Sequence, residues 1–428
     1  MDKPHSTHAL PLAEPQGATR RSLLKASAAL LGGTLAAPFI ARHADAADVI
    51  KVGSLLDLSG ALGSSGLGMY QAIQIGVDEV NQSGGLLGKQ IKLINYDTQS
   101  NIQLYSQYAQ KLALQDQVAV VQGGITSASR EAIRPVFDRY RTLYFYNVLY
   151  EGGVCDRDIF CTGTTPAQTV QKLVPYALSS WGKKAYILAA DYNYGQITAK
   201  WMAKYTRDNG GTVQSVDFFP LDVTDFSATI SKIQQAGPSV VFSALVGSNH
   251  TAFYRQWAAA GMLHKIPIAS TTFGLVDEIH TLDANESDGI VTAYGYYEEI
   301  TTPASEAFVK AIKTKFGPKV PYISELSSDN YEGFKLWAAG VKKAGTTDRM
   351  AVVKALETGI SIDGPSGRVT IDHQTHHVTR DAYLAKAVNK SWDVFKSYPN
   401  QFPSDTAAVC NLIKYPRTDK QFVIDAKA

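Results

Sequence analysis

Short apolar runs alternate with helix-length segments from residue 48 to residue 297, and the alternation comes in two sets. In the first, strands are expected at 48–56, 91–95, 118–121 and 143–146. Helices fall between them, over a segment with apolar positions Met69, Ile73, Val77 and Val80, then at 103–115 and 129–139. In the second, strands at 185–190, 212–218, 239–244 and 266–269 are separated by helices at 197–207, 226–235 and 251–260. A run such as Val118-Ala-Val-Val121 has no polar face, which suits a strand covered on both sides. Repeated strand–helix–strand units form parallel sheets through right-handed crossovers. The expected fold is therefore α/β, with two similar doubly wound parallel-sheet lobes. A strand-like stretch at 289–297 follows, then helices at 303–316, 324–344 and 349–358. The tail alternates in a β-like manner from 368 to 388 and ends in a polar, Pro-containing stretch.

In such sheets ligands sit at the carboxyl edge of the strands. The stretch Val118-Ala-Val-Val-Gln-Gly-Gly-Ile-Thr-Ser-Ala-Ser-Arg-Glu131 supplies such an edge. Gly123 and Gly124 permit a tight turn with close backbone approach. Thr126 or Ser127 can cap the following helix, leaving its first N–H groups pointing out of the sheet. A second edge follows at 144–152. Tyrosines and hydroxyls recur where other strands should end: Tyr146, Tyr150, Tyr192, Tyr194, Thr271, Thr272, Tyr294, Tyr296 and Tyr297. A tyrosine offers a ring to pack a small ligand and a hydroxyl to bond it.

The chain has 428 residues and a net charge of +2, ample for two domains with a sizeable core and without the basic runs of a nucleic-acid partner. Thr19-Arg-Arg-Ser-Leu-Leu-Lys25, an apolar run at 26–40 and Ala44-Asp-Ala46 have the form of a twin-arginine signal with its cleavage site. Residues 1–46 are expected to be removed, and the mature chain to be periplasmic. In that oxidising compartment Cys155 and Cys161 are near enough in sequence to form a disulfide, with Cys410 left over; three cysteines also allow other pairings.

Catalysis finds little support. There is no G-x-S-x-G elbow, H-E-x-x-H pair or phosphate loop; Gly63-x-x-Gly66-x-Gly68 has the wrong spacing. His250 and His264 have no obvious nucleophile and read as surface histidines. His373-x-x-His376-His377 reads as an exposed loop, not a metal site. Glu151 is either an orienting group or a solvated charge. No cofactor is expected.

Ile50-Lys-Val-Gly, Ser59-Gly60, Gly84-Gly-Leu-Leu-Gly88, Tyr150-Glu-Gly152, Thr162-Gly163, Asp191-Tyr192, Gly210-Gly211, Thr302-Pro-Ala304 and Asp363-Gly-Pro365, in this order, resemble the type I periplasmic binding proteins of ABC importers. The branch that binds urea and short-chain amides is the most similar, beside the branched-chain amino-acid binders. The resemblance implies two lobes closing like a hinge over one ligand, with three crossovers near Thr164, Tyr297 and Gly364. Lobe 1 would comprise 47–165 and 298–365, and lobe 2 would comprise 166–297 and 366–428. It implies a permease and an ATPase as partners and no catalysis; a monomer is expected. Carried over by position, the ligand residues are Ile125, Thr126, Ser127, Tyr146, Val148, Tyr150, Tyr192, Tyr194, Val246, Gly247 and Thr272.

The chain departs from both branches. Tyr146-Asn147 and Tyr192-Asn-Tyr-Gly195 replace the Tyr-Pro patterns of amide binders. Tyr150 stands where amino-acid binders place a small hydroxyl for the carboxylate, and their acid near Thr272 is missing. Burying an ammonium without a carboxylate costs several kcal/mol. The expected ligand is thus a neutral amide or urea-like molecule, unless Asp191, Asp277 or Glu278 replaces that acid. The alternatives are a branched-chain or other amino acid, and a sensor that does not transport.

Overall fold

The structure is a computed structural model that describes residues 49–424, so the expected export signal lies outside the described residues. The first sheet is parallel throughout, in the order β2-β1-β3-β4-β6. Its strands are β1 (Ile50–Leu56), β2 (Ile91–Asp97), β3 (Val120–Gly123), β4 (Leu143–Tyr146) and β6 (Ile159–Cys161), with a short β5 (Val154–Asp156) outside it. Helices α1 (Gly63–Gln82), α2 (Ile102–Lys111) and α3 (Ser127–Tyr140) connect them. Val52, Val120 and Phe145 pack in one core with Ile73 and Val77 of α1. Phe334 and Trp337 join that core from α11 (Glu325–Ala344). The expected apolar runs are strands because both faces of this sheet are covered.

The turn after β3 depends on glycine. Gly123 has φ +144°, and a Cβ there would lie 2.3 Å from the Leu55 carbonyl oxygen. Gly123→Ala is expected to lower unfolding stability by about 2 kcal/mol or more, measured by urea denaturation.

The second sheet has nine strands. The parallel core is β7 (Lys184–Ala190), β8 (Thr212–Phe219), β9 (Val240–Ala244), β10 (Ile268–Ser270) and β11 (Val291–Tyr294). Helices α4 (Val170–Trp181), α5 (Asn193–Asp208), α6 (Ser227–Ala236) and α7 (Ser248–Ala259) belong to it, with short turns α8 (Glu278–Thr281) and α9 (Ala284–Ser287). α10 (Pro303–Phe316) and α12 (Arg349–Leu356) then return with α11 to the first lobe. β12 (Ser361–Gly364), β13 (Gly367–Ile371), β14 (Val378–Val388) and β15 (Ser391–Gln401) extend the second sheet antiparallel. The polar stretch with Pro399 thus contains an edge strand, where a residue without N–H is tolerated.

Two segments expected in lobe 2 lie against lobe 1. Val369, Ile371 and Val378 join the core of β1, β3 and β4, so residues 367–378 pack with the first lobe, and the crossing falls within β14 and not at Gly364. The tail, with α13 (Ser404–Ala407) and β16 (Asp419–Gln421), pairs β16 antiparallel with β5. Apolar side chains hold residues 367–378 there, whereas the tail is held by the β16–β5 pairing and by the packing of Cys410, Leu412 and Phe422 with Cys155.

The disulfide also differs from expectation. Cys155 bonds Cys410, and Cys161 is unpaired and buried. Cys161 sits opposite Tyr146 on the edge strand β6, buried in the protein interior, and that burial pushes its thiol up to about 12. Sequence proximity therefore decided nothing, because β5 turns Cys155 toward the tail. His376 and His377 are likewise buried, contrary to an exposed loop. His376 stacks on Phe160, and His377 binds the Thr375 carbonyl and the Tyr150 hydroxyl.

A buried charge cluster joins the crossings. Glu325 accepts from the Thr164 hydroxyl at 2.6 Å and from the Gly295 N–H at 2.9 Å. One turn and two turns on, Asp329 and Glu332 pair with Arg380 of β14, which also donates to the Thr162 carbonyl.

Candidate ligand-binding cleft

Strand ends and helix starts from both sheets enclose a cavity of about 310 Å³. Thr126 accepts the Ser129 N–H and Ser129 bonds back to the Thr126 N–H, so the turn after β3 is a reciprocal cap. That cap holds Ile125, Thr126 and Ser127 against the cavity. Tyr146 ends β4 and Val148 follows it. Tyr192 and Tyr194 start α5, Val246 and Gly247 precede α7, and Thr272 follows β10; all line the same space.

Of the residues expected here, Tyr150 alone does not line the cavity. Its side chain is 2% exposed and turns away toward His377, while its hydroxyl accepts the Val154 N–H at 3.2 Å. His377 Nδ1 donates to the Thr375 carbonyl, so its Nε2 is the acceptor for the Tyr150 proton. Burial holds His377 neutral, with its pKa pushed down to about 3. Tyr294, Tyr296 and Tyr297 are packing residues: their hydroxyls meet the Phe273 carbonyl, Ser305 and Thr292.

Ser64, Ser65 and His250 of the lining were missed or misjudged. Ser64 and Ser65 at the start of α1 line the cavity, from a loop whose hydroxyl-rich composition was the available signal. His250 is buried and faces the cavity, contrary to a surface histidine. Its Nε2 lies 3.1 Å from the Tyr254 hydroxyl, whose own proton goes to Ser243 or Ser270. Burial pushes its pKa down to about 3, so it is neutral and carries its proton on Nε2. Glu278 lines the cavity too, with Oε1 3.8 Å from His250 Nδ1 and Oε2 accepting the Val276 N–H at 3.1 Å. Burial without a cation raises its pKa to about 7, against backbone hydrogen bonds that lower it. Of the three candidate acids, Asp191 and Asp277 are absent from the lining.

Several hydroxyls are already committed. Tyr146 donates to the Ile125 carbonyl at 3.1 Å, and Tyr194 meets Thr271 Oγ1 at 3.0 Å. Lobe 2 touches lobe 1 beside the cavity, where Trp201 Nε1 donates to the Glu151 carbonyl at 3.1 Å. Among the described residues no group of His, Cys, Asp and Glu could hold a metal. No described helix is long and apolar enough to cross a membrane.

Two α/β lobes with a polar-tipped, aromatic-walled cavity between their strand ends define a cleft-type solute receptor. The chain belongs to the periplasmic binding protein domain family, whose model matches residues 50–405. It is 26% identical over 344 residues to the Leu/Ile/Val-binding protein homolog 7 of Brucella abortus (strain 2308), covering 76% of this chain and 84% of that protein. Its fold matches a solute binding protein of an ABC transporter from Rhodopseudomonas palustris BisB5, solved with 3,4-dihydroxybenzoic acid. The TM-score is 0.75 at 23% identity, over 84% of this chain and 99% of the other. A leucine binding protein from Thermotoga maritima MSB8 matches with a TM-score of 0.72 at 18% identity, over 83% and 100% of the two chains.

Proposed function

We propose that the protein is a periplasmic receptor that captures an amino acid with an apolar side chain and delivers it to the permease and ATPase of an ABC importer. The carrying observation is Glu278, whose carboxyl group is largely buried in the cavity wall with no cationic partner. An ammonium is the ligand group that would complete it. The Ser64, Ser65 and Thr126 hydroxyls, with the first-turn N–H groups of α1, are donors for a carboxylate. Val148, Leu149, Leu275 and Leu326 with the tyrosine rings suit an apolar side chain. The relatives with Leu/Ile/Val-binding names support the same class.

A second reading, a neutral amide or urea-like ligand, is favoured by the absence of Lys and Arg from the lining. Glu278 is half protonated near pH 7 and can then donate to a carbonyl. Against urea itself stands the volume: about 310 Å³ leaves most of the space empty around so small a molecule. Titration calorimetry with leucine, 4-methylpentanamide, acetamide, formamide, urea and 4-hydroxybenzoate separates the readings. Leucine is expected to bind at least about tenfold more tightly than any other member, a difference of about 1.4 kcal/mol. Binding of an amide with no response to leucine would overturn the ranking.

A further inference from the structure

Glu151 is 1% exposed and lies behind the cavity wall, where its two oxygens have different partners. Oε2 accepts the Ser127 hydroxyl. Oε1 accepts Arg130 Nη2 at 2.9 Å and Gln421 Nε2 at 2.6 Å. Gln421 is the end of β16, more than 250 residues away in sequence; it also donates to the Gly152 carbonyl and accepts from Arg130. The strap carrying it is fastened by β16–β5 pairing, by the Phe422 N–H on the Gly153 carbonyl and by the Cys155–Cys410 disulfide. A Cβ on Gly153 would lie 2.0 Å from the Phe422 carbonyl oxygen, so the strap is seated directly on the backbone next to Glu151.

A carboxylate paired with arginine only accepts hydrogen bonds. The Ser127 proton therefore points at Glu151, away from the cavity, and Arg130 Nη1 takes part of the remaining acceptor capacity at 3.3 Å. What Ser127 has left for a ligand is a lone pair. We infer that Glu151, positioned by Gln421 of the C-terminal strap, sets the hydrogen-bond polarity of the cleft. Ser127 then selects a ligand that presents an N–H to this turn and discriminates against one that presents only acceptors. The inference rests on the cavity being the ligand site. It goes beyond the ammonium partner on the opposite lobe, because it assigns a specificity role to residues that do not touch the ligand.

The test compares leucine with 4-methylpentanoate, which lacks the amine, by calorimetry on the full disulfide-bonded protein. Gln421→Ala is expected to weaken leucine about tenfold with little change in unfolding midpoint, and to lower the leucine preference similarly. Glu151→Gln keeps the shape but can donate to Ser127 through its amide, turning the serine proton toward the cavity. It is expected to lower the preference for leucine at least as much, whereas a merely structural role would weaken both probes alike. An unchanged preference in both variants overturns the inference. A readout without ligand is hydrogen exchange of the amides at 126–131. Faster exchange there in Gln421→Ala supports the positioning role, and unchanged exchange overturns it. Should wild-type protein bind neither probe, the ligand class falls, and the exchange measurement still decides the positioning role.

Discussion

Glu278→Gln is expected to lower leucine affinity about 100-fold, a loss of roughly 3 kcal/mol, because it removes the one acidic side chain in the cavity wall. The same variant should change 4-methylpentanamide affinity little, since a neutral amide makes no ion pair. The pH dependence has a definite sign. The pKa of Glu278 in the empty protein, raised by burial to about 7, lies above its ordinary value of 4.5. An ammonium needs the ionised form, so leucine affinity should rise about tenfold per pH unit from pH 5 toward 7 and level off above it. Stability of the empty protein runs the other way. The proton on folded Glu278 contributes fully below about pH 4.5, and its contribution, of the order of 3 kcal/mol, is lost as pH rises through 7. The melting-temperature gain from leucine should therefore widen between pH 5 and pH 8. A flat affinity profile, with Glu278→Gln binding leucine normally, would exclude Glu278 as the ammonium partner.

Arg380→Met is expected to cost about 3–5 kcal/mol of unfolding stability, the largest effect of any single change proposed. Arg380 is fully buried and is the cation facing Asp329 and Glu332, with Glu325 also nearby. Burial already raises Asp329 and Glu332 above the usual carboxylate range, and Arg380 pulls them back. Without the guanidinium these acids are stable in the interior only when protonated. The loss should therefore be smaller at pH 5 than at pH 8, measured by urea denaturation at both. Since Glu325 holds Thr164 and Gly295 at two crossings and Arg380 occupies the third, ligand affinity should fall together with stability. Equal stability of variant and wild type at pH 8 would show that the cluster does not hold the crossings together.

The strand–helix alternation was legible because a strand covered on both faces must be apolar throughout. Residues 143–146 and 303–316 fall on β4 and α10 without shift. Glycine and hydroxyl residues marked the cleft-facing turns for a similar local reason. A turn entering a helix needs a cap, and Thr126 supplies it. Tyr150 was misplaced because strand-end position does not say which way a side chain turns, and a neutral His377 waits behind it. His250 carries no local signal at all, since a polar residue on a helix usually faces water, and Glu278 stood in the sequence only as one of three candidate acids. Only the packing of α7 and of residues 275–278 against the cavity makes them part of its wall.

Chain order alone determined the doubly wound lobes and the edges at which their loops meet, because both follow from the period and length of apolar segments. Tertiary structure decided the rest: that Cys155 reaches Cys410, that the tail returns to lobe 1, and that Glu151, Arg130 and Gln421 meet behind Ser127. Those contacts join residues far apart in sequence. Each is fixed by which buried surface or charge the folded chain can cover or pair, a quantity no local pattern contains.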